Sequence, residues 1–546
     1  MMFQFSLPNT EEDEVLLYTL PEKDHAGLVC FLDFLDQYCT NSSVEYLIYG
    51  WNISYEFTQI LHDMPMYVRQ ASDIRINNIS LESGKKYRWS IEISNEKRKL
   101  ATFRKGHGVS VKFLDGMAFY NTSLDKAARL VGAGEKYELE GLSRSNFTRA
   151  DLEDSDYIKY AKRDAYITRR IADHIQLQHR LYQVPTCISA PHFAATVFRT
   201  QFLHSGLGVL DQSIEQLGLD SYHGGKNGFY LSEPTDLPNS YLYDITSAYP
   251  EAMRQLPDLE KMQWSPSDHY KPNTHSLWYV DVDYRPCIYR GMQNYEGTWL
   301  DEPGRIKTAI TGYELDQLVS RNEVTIHSAT GYVVSGPSGG PLTRYVDRFF
   351  HIKSTSAGPE RETAKLLLNS LYGKFFQKQN LGSVGSYNVE QQRWIETNPE
   401  HDYDFEAGGL YDPAVASLIT GYVRAKIHGL EHKYSALMTS TDGLFALDPP
   451  EQSDLGNGLG ELTSDKGRLR IWRERLYVFD SVSGKKKYAL HGFRGKVADL
   501  EEIPLVRGTY SYLGMQMITL KMSTKLLSGK SYSPGQFATM WYELNI

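Results

Sequence analysis

Cysteine is scarce in this chain. Only Cys30, Cys39, Cys187 and Cys287 occur in 546 residues, and no two form a C-x-x-C pair. A disulfide framework is excluded, no structural zinc is expected, and the usage fits a reducing, intracellular compartment. No run of about 18 apolar residues exists, so no membrane span and no membrane partner are expected. The opening Met-Met-Phe-Gln-Phe-Ser-Leu lacks a basic stretch followed by an apolar one, the pattern of a secretory signal. Solenoid-period repeats and long low-complexity tracts are missing too. Basic charge is in deficit overall, with 58 Lys+Arg against 67 Asp+Glu and a net charge of −9. Taken over the whole chain this speaks weakly against a nucleic-acid partner, because phosphate neutralisation needs cations.

What is present changes that picture. Hydrophobic residues make up 41% and aromatics 12%, which excludes a disordered chain, and the length suits about three to five domains. The 38 tyrosines suit wet clefts as well as cores. Charge is also unevenly spread. From Arg344 to Asn380 seven basic residues face three acidic ones, and from Thr463 to Lys530 fourteen face six. Those surpluses are either solvated faces or a phosphate track split over two segments.

Glu45–Tyr49 and Val109–Phe113 read as strands, and Tyr157–Leu181 as a helix. The glycines and prolines of Ser221–Ser240 read as a linker or flexible loop. Tyr241–Ile245 is a short strand that stops near Pro250. Residues 255–350 are irregular and too long for a simple connection. Pro359–Phe376 is the clearest helix, with Pro359 in its first turn. On it Arg361, Lys365, Asn369 and Tyr372 share one stripe, while Leu366, Leu367 and Leu371 point to a core. That polar stripe can hold an anion, or it can be an ordinary amphipathic surface. Ala414–Leu430 is a further helix, and Thr439–Gly443 separates two short apolar runs, as a strand–turn–strand would. The last 40 residues read as strands and turns.

Four segments occur in order: Tyr222-His-Gly-Gly225, Asp244-Ile-Thr-Ser-Ala-Tyr-Pro250, Lys365-Leu-Leu-Leu-Asn-Ser-Leu-Tyr-Gly373 and Ser440-Thr-Asp-Gly443. Lys486-Lys-Tyr488 follows. Each alone is commonplace. Together, at spacings of 121, 77 and 44 residues from Asp244 through Lys365 and Asp442 to Lys486, they resemble the motifs of family B DNA polymerases. Those motifs are D-x-x-S-x-Y-P, K-x-x-x-N-S-x-Y-G, D-T-D and K-x-Y. The Y-x-G-G segment and the long stretch after the first motif resemble the protein-primed subgroup of phages and linear plasmids.

The resemblance implies an α+β and α/β multidomain chain. It would be a right-hand polymerase of palm, fingers and thumb behind an RNase H-like exonuclease-type domain. The implied domains are 1–185, a degenerate exonuclease-like unit; 186–254, linker and start of palm; 255–350, an insertion that contacts the priming protein, and palm; 351–376, fingers; 377–412, a second, hairpin insertion; 413–490, palm; and 491–546, thumb. It implies nucleotidyl transfer from dNTPs to a 3′ or protein hydroxyl on a DNA template–primer. Two Mg²⁺ ions, or Mn²⁺ in their place, would assist. The cations would be held by Asp244, Asp442 and the carbonyl of Ile245, with Lys365 also catalytic. Tyr249, Lys353, Arg361, Lys365, Asn369 and Tyr372 would bind the dNTP. Tyr222, Gly224, Gly225, Ser123, Leu124, Lys486 and Tyr488 would bind DNA. A terminal priming protein is the implied partner, and the host cytoplasm, with a viral or plasmid gene, the implied location.

Two departures stand out. The first Asp of D-T-D is Ser440, which weakens the cation pair. The exonuclease motifs are eroded. Tyr160-Ala-Lys-Arg-Asp164 matches Y-x-x-x-D, but Asn52-Ile-Ser-Tyr-Glu56 carries Glu for Asp, and Phe3–Leu7 has no D-x-E. True loss and a truncated start both account for that gap. Weak or absent 3′–5′ proofreading is expected. A catalytically silent DNA-binding scaffold of the same fold is the alternative reading.

Overall fold

The computed structural model describes residues 2–19, 26–53, 73–76, 88–94, 100–105, 108–137, 153–380, 385–388, 393–396, 405–517 and 537–546. Near the N-terminus, strand Val109–Asp115 runs parallel to Glu45–Gly50 and antiparallel to Leu100–Lys105. Trp89–Ser94 and Asp73–Ile76 extend the same sheet. Period-two alternation puts Val109, Val111 and Phe113 on one face. Helix Ala26–Tyr38 covers that face with Leu28, Phe31, Leu32 and Leu35, spaced as one helical stripe. Helix Ser155–Leu181 begins where Asp154 accepts from the amides of Asp156 and Tyr157. Its Ile167, Ile171 and Ile175 join a core that runs on into the middle of the molecule.

That middle is a seven-stranded antiparallel sheet in the order Lys486–Leu490, Leu476–Ser481, Leu462–Arg473, Thr235–Ile245, Gly443–Ala446, Ala436–Thr441 and Lys226–Phe229. The Ser221–Ser240 stretch is therefore no linker. Its first strand is the sheet's edge, paired with Ala436–Thr441, and Thr235–Ser240 opens the central strand. Gly225 and Gly228 there sit in close packing, which a composition-based reading takes for flexibility. Leu242 packs on one face of the sheet and Tyr243 on the other. Helix Pro413–Lys433, longer than the sequence suggests, lies behind the sheet and is buried along almost its whole length.

Residues 263–335 form a separate four-stranded antiparallel sheet with helix Gly312–Ser320. Helices Pro341–Thr355 and Gly358–Ser370 pack against each other. They turn at Gly358, whose φ of +58° suits glycine. The expected single helix to Phe376 breaks at Leu371, and Tyr372–Phe376 forms a 3₁₀ turn. Leu367, Leu368 and Leu371 are buried as its core face, whereas Leu366 is only partly buried, because the stripe is set one residue further on than the spacing suggested. Lys378–Asn380 pairs with Phe405–Ala407, and Gly385–Asn388 with Arg393–Glu396, as a hairpin would. At the C-terminus Thr509–Met517 pairs with Phe537–Asn545. Among the described residues no helix is long and apolar enough to cross a membrane.

Asp412 caps helix Pro413–Lys433 through the Val415 amide at 2.9 Å. Burial pushes its carboxyl up to about 6. A folded-state value above the unfolded one makes the charged form costly, so this group favours folding below about pH 4, and that advantage is lost as pH rises through 6. Asn caps as well as Asp and carries no charge. Asp412→Asn is expected to raise stability at pH 8 by about 2 kcal/mol and to change nothing at pH 4, read by urea denaturation.

Candidate active site

The central strand brings the first motif and the Asp442 turn together. Gly443 stands opposite Asp244 in register, and the Ile245 amide donates to the Asp442 carbonyl at 3.0 Å. A methyl on Gly443 would lie 3.3 Å from Asp244 Oδ1 and 2.8 Å from the Tyr243 carbonyl, so the turn needs glycine to let the two aspartates sit side by side. Surrounding protein strips water from Asp442 and Asp244 adds like charge, which together push the Asp442 carboxyl up to about 6. Asp244 is open at the cleft mouth, yet the protein around it raises its carboxyl, while Lys487, Lys365 and Lys353 pull it back. Two acids close together beside three cations offer oxygen donors to a divalent ion and positive charge to an anion. Their all-oxygen donor set suits a hard cation such as Mg²⁺.

The backbone is strained beside both acids. Ser247 and Thr441 are non-glycine residues with φ of +55° and +60°. Such conformations cost on the order of 1–3 kcal/mol and cluster at functional sites. Ser247 is held by Lys353, whose Nζ donates to its Oγ at 2.8 Å. The Lys353 ammonium is lowered, first by burial and then by Lys365 and Arg361. Those three cations therefore converge from the two packed helices. Arg361, Lys365 and Asn369 are exposed along helix Gly358–Ser370, and Lys365 is near enough to act on Asp244.

Beside the acids lies an aromatic wall. The Tyr249 and Tyr372 rings stack at 4.0 Å, 4° from parallel. Asp442 raises both phenols after burial does. Tyr222 stacks on Phe376 at 3.5 Å. Gly225 closes this wall, since a methyl there would lie 2.7 Å from Thr441 Cγ2 and 2.8 Å from Tyr249 Oη. Gly224 meets nothing within 4 Å. The segment is held from behind by Arg424, which donates to the carbonyls of His223 and Gly224 and forms a buried two-point ion pair with Glu314. Arg424 lies outside every motif, and its only sequence signal is a cation within a mostly apolar helix.

Other sequence expectations come out differently. Lys486 is tied to Glu501 and Asp480, whereas Lys487, on the other side of its strand, joins Lys365 and Lys353 in acting on Asp244. Tyr488 is exposed. Ser440 pairs in register with Asn227 of the edge strand and leaves its place in the turn without a carboxylate. Ser123 caps helix Leu124–Val131 through the Lys126 amide, and Leu124 is buried in the core, so Leu124 offers no surface to a DNA strand. Tyr160 and Asp164 meet at Lys136, which donates to Asp164 at 2.7 Å and lies over the Tyr160 ring. The Asn52 amide donates to Asp115. Glu56 lies outside the described residues.

A family model described as "DNA polymerase type B, organellar and viral" matches residues 143–397. A "Probable DNA polymerase" of Agaricus bitorquis is 22% identical over 266 residues, 47% of this chain and 33% of that protein. The chain thus spans about a third of that curated relative's length. The phi29 DNA polymerase complexed with primer-template DNA and incoming nucleotide substrates superposes with a TM-score of 0.63 at 14% identity, covering 98% of this chain and 94% of that one. The same polymerase with primer-template DNA alone gives 0.61 at 15% identity, covering 87% and 84%. At such identities the likeness establishes a shared multidomain fold of mixed α/β class. The resemblance carried by the ordered motifs is borne out by the family match.

Proposed function

We propose that this chain, recognisable as a relative of the organellar and viral type B DNA polymerases, is a DNA-directed DNA polymerase working by two-metal nucleotidyl transfer. The observation that carries the reading is that Asp442, in the turn before Gly443, lies beside Asp244 on the neighbouring strand, where Lys365 and Lys353 act on Asp244. The two acids would hold paired Mg²⁺ ions, which stabilise the attacking and leaving oxygens of an in-line displacement. Lys365, Lys353 and Arg361 would bind the triphosphate, where donors aimed at developing charge act most strongly. The Tyr249–Tyr372 wall would take the incoming sugar and base, with Tyr249 turning away a 2′-hydroxyl. Tyr222, Gly224 and Gly225 would track the template. Lys487, rather than Lys486 alone, would meet the primer end. The seven-stranded sheet would be the palm, the two cationic helices the fingers, and the C-terminal strand pair with its neighbours the thumb.

Protein priming is the finer part of the reading. The four-stranded sheet of residues 263–335 is its support, since it would offer a terminal protein a surface of its own. Proofreading is expected to be weak. Arg163 and Arg169 of helix Ser155–Leu181 reach back to Glu12, Ser6 and the Thr10 carbonyl, and Asp164 is already engaged by Lys136. Cationic partners compete with the ions a nuclease needs.

Primer extension with Mg²⁺ and dNTPs tests the function, and labelled dNMP transfer to a partner protein tests the priming. Template-dependent extension is expected. Its complete absence from folded protein, with DNA binding retained, would favour the silent scaffold that Ser440 suggests. The glycine pair gives a sharper check. Overpacking costs about 1–3 kcal/mol. Gly225→Ala is accordingly expected to cut extension by roughly 10–100-fold. Gly224→Ala is expected to leave it within about twofold.

A further inference from the structure

Away from the cleft, Cys287, Glu323 and His432 meet where the inserted sheet touches the end of helix Pro413–Lys433. Cys287 Sγ lies 3.5 Å from His432 Nε2 and 3.7 Å from Glu323 Oε1, and His432 Nε2 lies 3.0 Å from the same oxygen. Zinc bonds of about 2.3 Å to sulfur, 2.0–2.1 Å to nitrogen and 2.0–2.2 Å to oxygen give a tetrahedron with edges of roughly 3.4–3.6 Å. The three donor atoms already stand near those spacings.

The surroundings are built as a metal's outer shell is built. His428 Nε2 stands 3.2 Å from both oxygens of Glu323. Its Nδ1 faces Lys226 Nζ at 2.9 Å. Lys226 can only donate, so Nδ1 accepts, and Nε2 carries the proton that orients Glu323. Lys226 is in turn paired with buried Glu431. Around Cys287, the Tyr289 amide donates to Sγ at 3.4 Å, as amides do to thiolates, and the Tyr289 ring packs edge-on against His432. Glu323 is buried while His432 keeps some exposure, which leaves a route for an ion and a water.

We propose that Cys287, Glu323 and His432 bind one Zn²⁺-class divalent ion, with water in the fourth position, and that this ion staples the inserted sheet to the helix behind the central sheet. A thiolate–imidazole–carboxylate set selects a borderline-soft cation over Mg²⁺. On binding, the S–H proton leaves to solvent and a metal–sulfur bond forms. The charges of ion, thiolate and carboxylate then cancel, as do those of Lys226 and Glu431. No spacing motif announces the site, because 36 residues separate Cys287 from Glu323 and 145 separate Cys287 from His432. The sequence-based expectation of no zinc rested on that missing pattern. The inference stands apart from the polymerase reading.

The test uses the full chain, stripped of metal and titrated with Co²⁺ alone. A thiolate-to-cobalt charge-transfer band and strong visible bands of tetrahedral cobalt are expected to saturate near one equivalent. Both are expected to persist in Asp442→Ala, disappear in Cys287→Ser, and weaken at least tenfold in apparent affinity in His432→Gln. Zn²⁺ is expected to displace the cobalt and to raise the melting temperature of the parent but not of Cys287→Ser. No thiolate band in the folded parent would overturn the proposal, whatever the variants do. So would a band that survives Cys287→Ser.

Discussion

Asp442→Ala is expected to lower primer extension by about 10³–10⁴-fold, which corresponds to roughly 4–5.5 kcal/mol of lost transition-state stabilisation. That size follows from the site. Asp244 and Asp442 are the two carboxylates that the turn brings together, and Ser440 stands where the motif has a further one. Removing one leaves Asp244 alone to hold a cation pair against water. The folded protein is not expected to suffer. In the metal-free chain the Asp442 carboxyl is raised to about 6 by burial and by Asp244. A raised acid favours folding below its unfolded value and loses that advantage as pH rises through the folded one. Above pH 6 its charge is therefore a liability, and the alanine variant should melt no lower than the parent at pH 8. A large loss of extension with an undiminished melting temperature, read by single-turnover kinetics and calorimetry, separates chemistry from unfolding. A loss smaller than tenfold would contradict the assignment.

Lys365→Ala is expected to cost about 10²–10³-fold in kcat/KM for the incoming nucleotide, the range for one electrostatic donor at developing charge. Lys365 is exposed on the cleft side of its helix, while Ala364, Leu367 and Leu368 are buried on the other. Truncation therefore removes a cation without opening a core cavity. Lys353 lies close enough to be lowered by Lys365. In the alanine variant that pressure is reduced, and Lys353 and Arg361 remain to meet the phosphates. Arg at position 365 should restore part of the rate, since charge is kept but the fork replaces a point donor. Pre-steady-state incorporation measures both. Equal rates for parent and alanine variant would remove the helix from the mechanism.

Much of this site was legible in the sequence, for a physical reason. Asp244, Tyr249, Lys365, Tyr372 and Asp442 each sit in a short local pattern, and local patterns survive as strings. The strands that carry the two acids could also be read, because Tyr241–Ile245 and Thr439–Gly443 alternate and turn. What escaped notice depends on distant partners. Ser221–Ser240 looked like a loop since its glycines suggest freedom, yet Gly225 is there because Tyr249 and Thr441 crowd it. Arg424 owes its importance to Glu314 on a different element, and Cys287 to Glu323 and His432. Lys487 rather than Lys486 faces Asp244 because strand pairing to Leu476–Ser481 sets which side each lysine takes. A run of three lysines carries no such information.

The account rests most heavily on Asp244 and Asp442 sharing a pair of cations next to the cationic helices. Crystals of the full chain with template–primer, a non-hydrolysable dNTP and Mn²⁺ test this directly through anomalous scattering. Two peaks about 3.5–4 Å apart, each within bonding distance of both carboxylates and with the triphosphate on Lys353 and Lys365, are predicted. A triphosphate bound elsewhere, or manganese that avoids these two aspartates at saturating concentration, would contradict it.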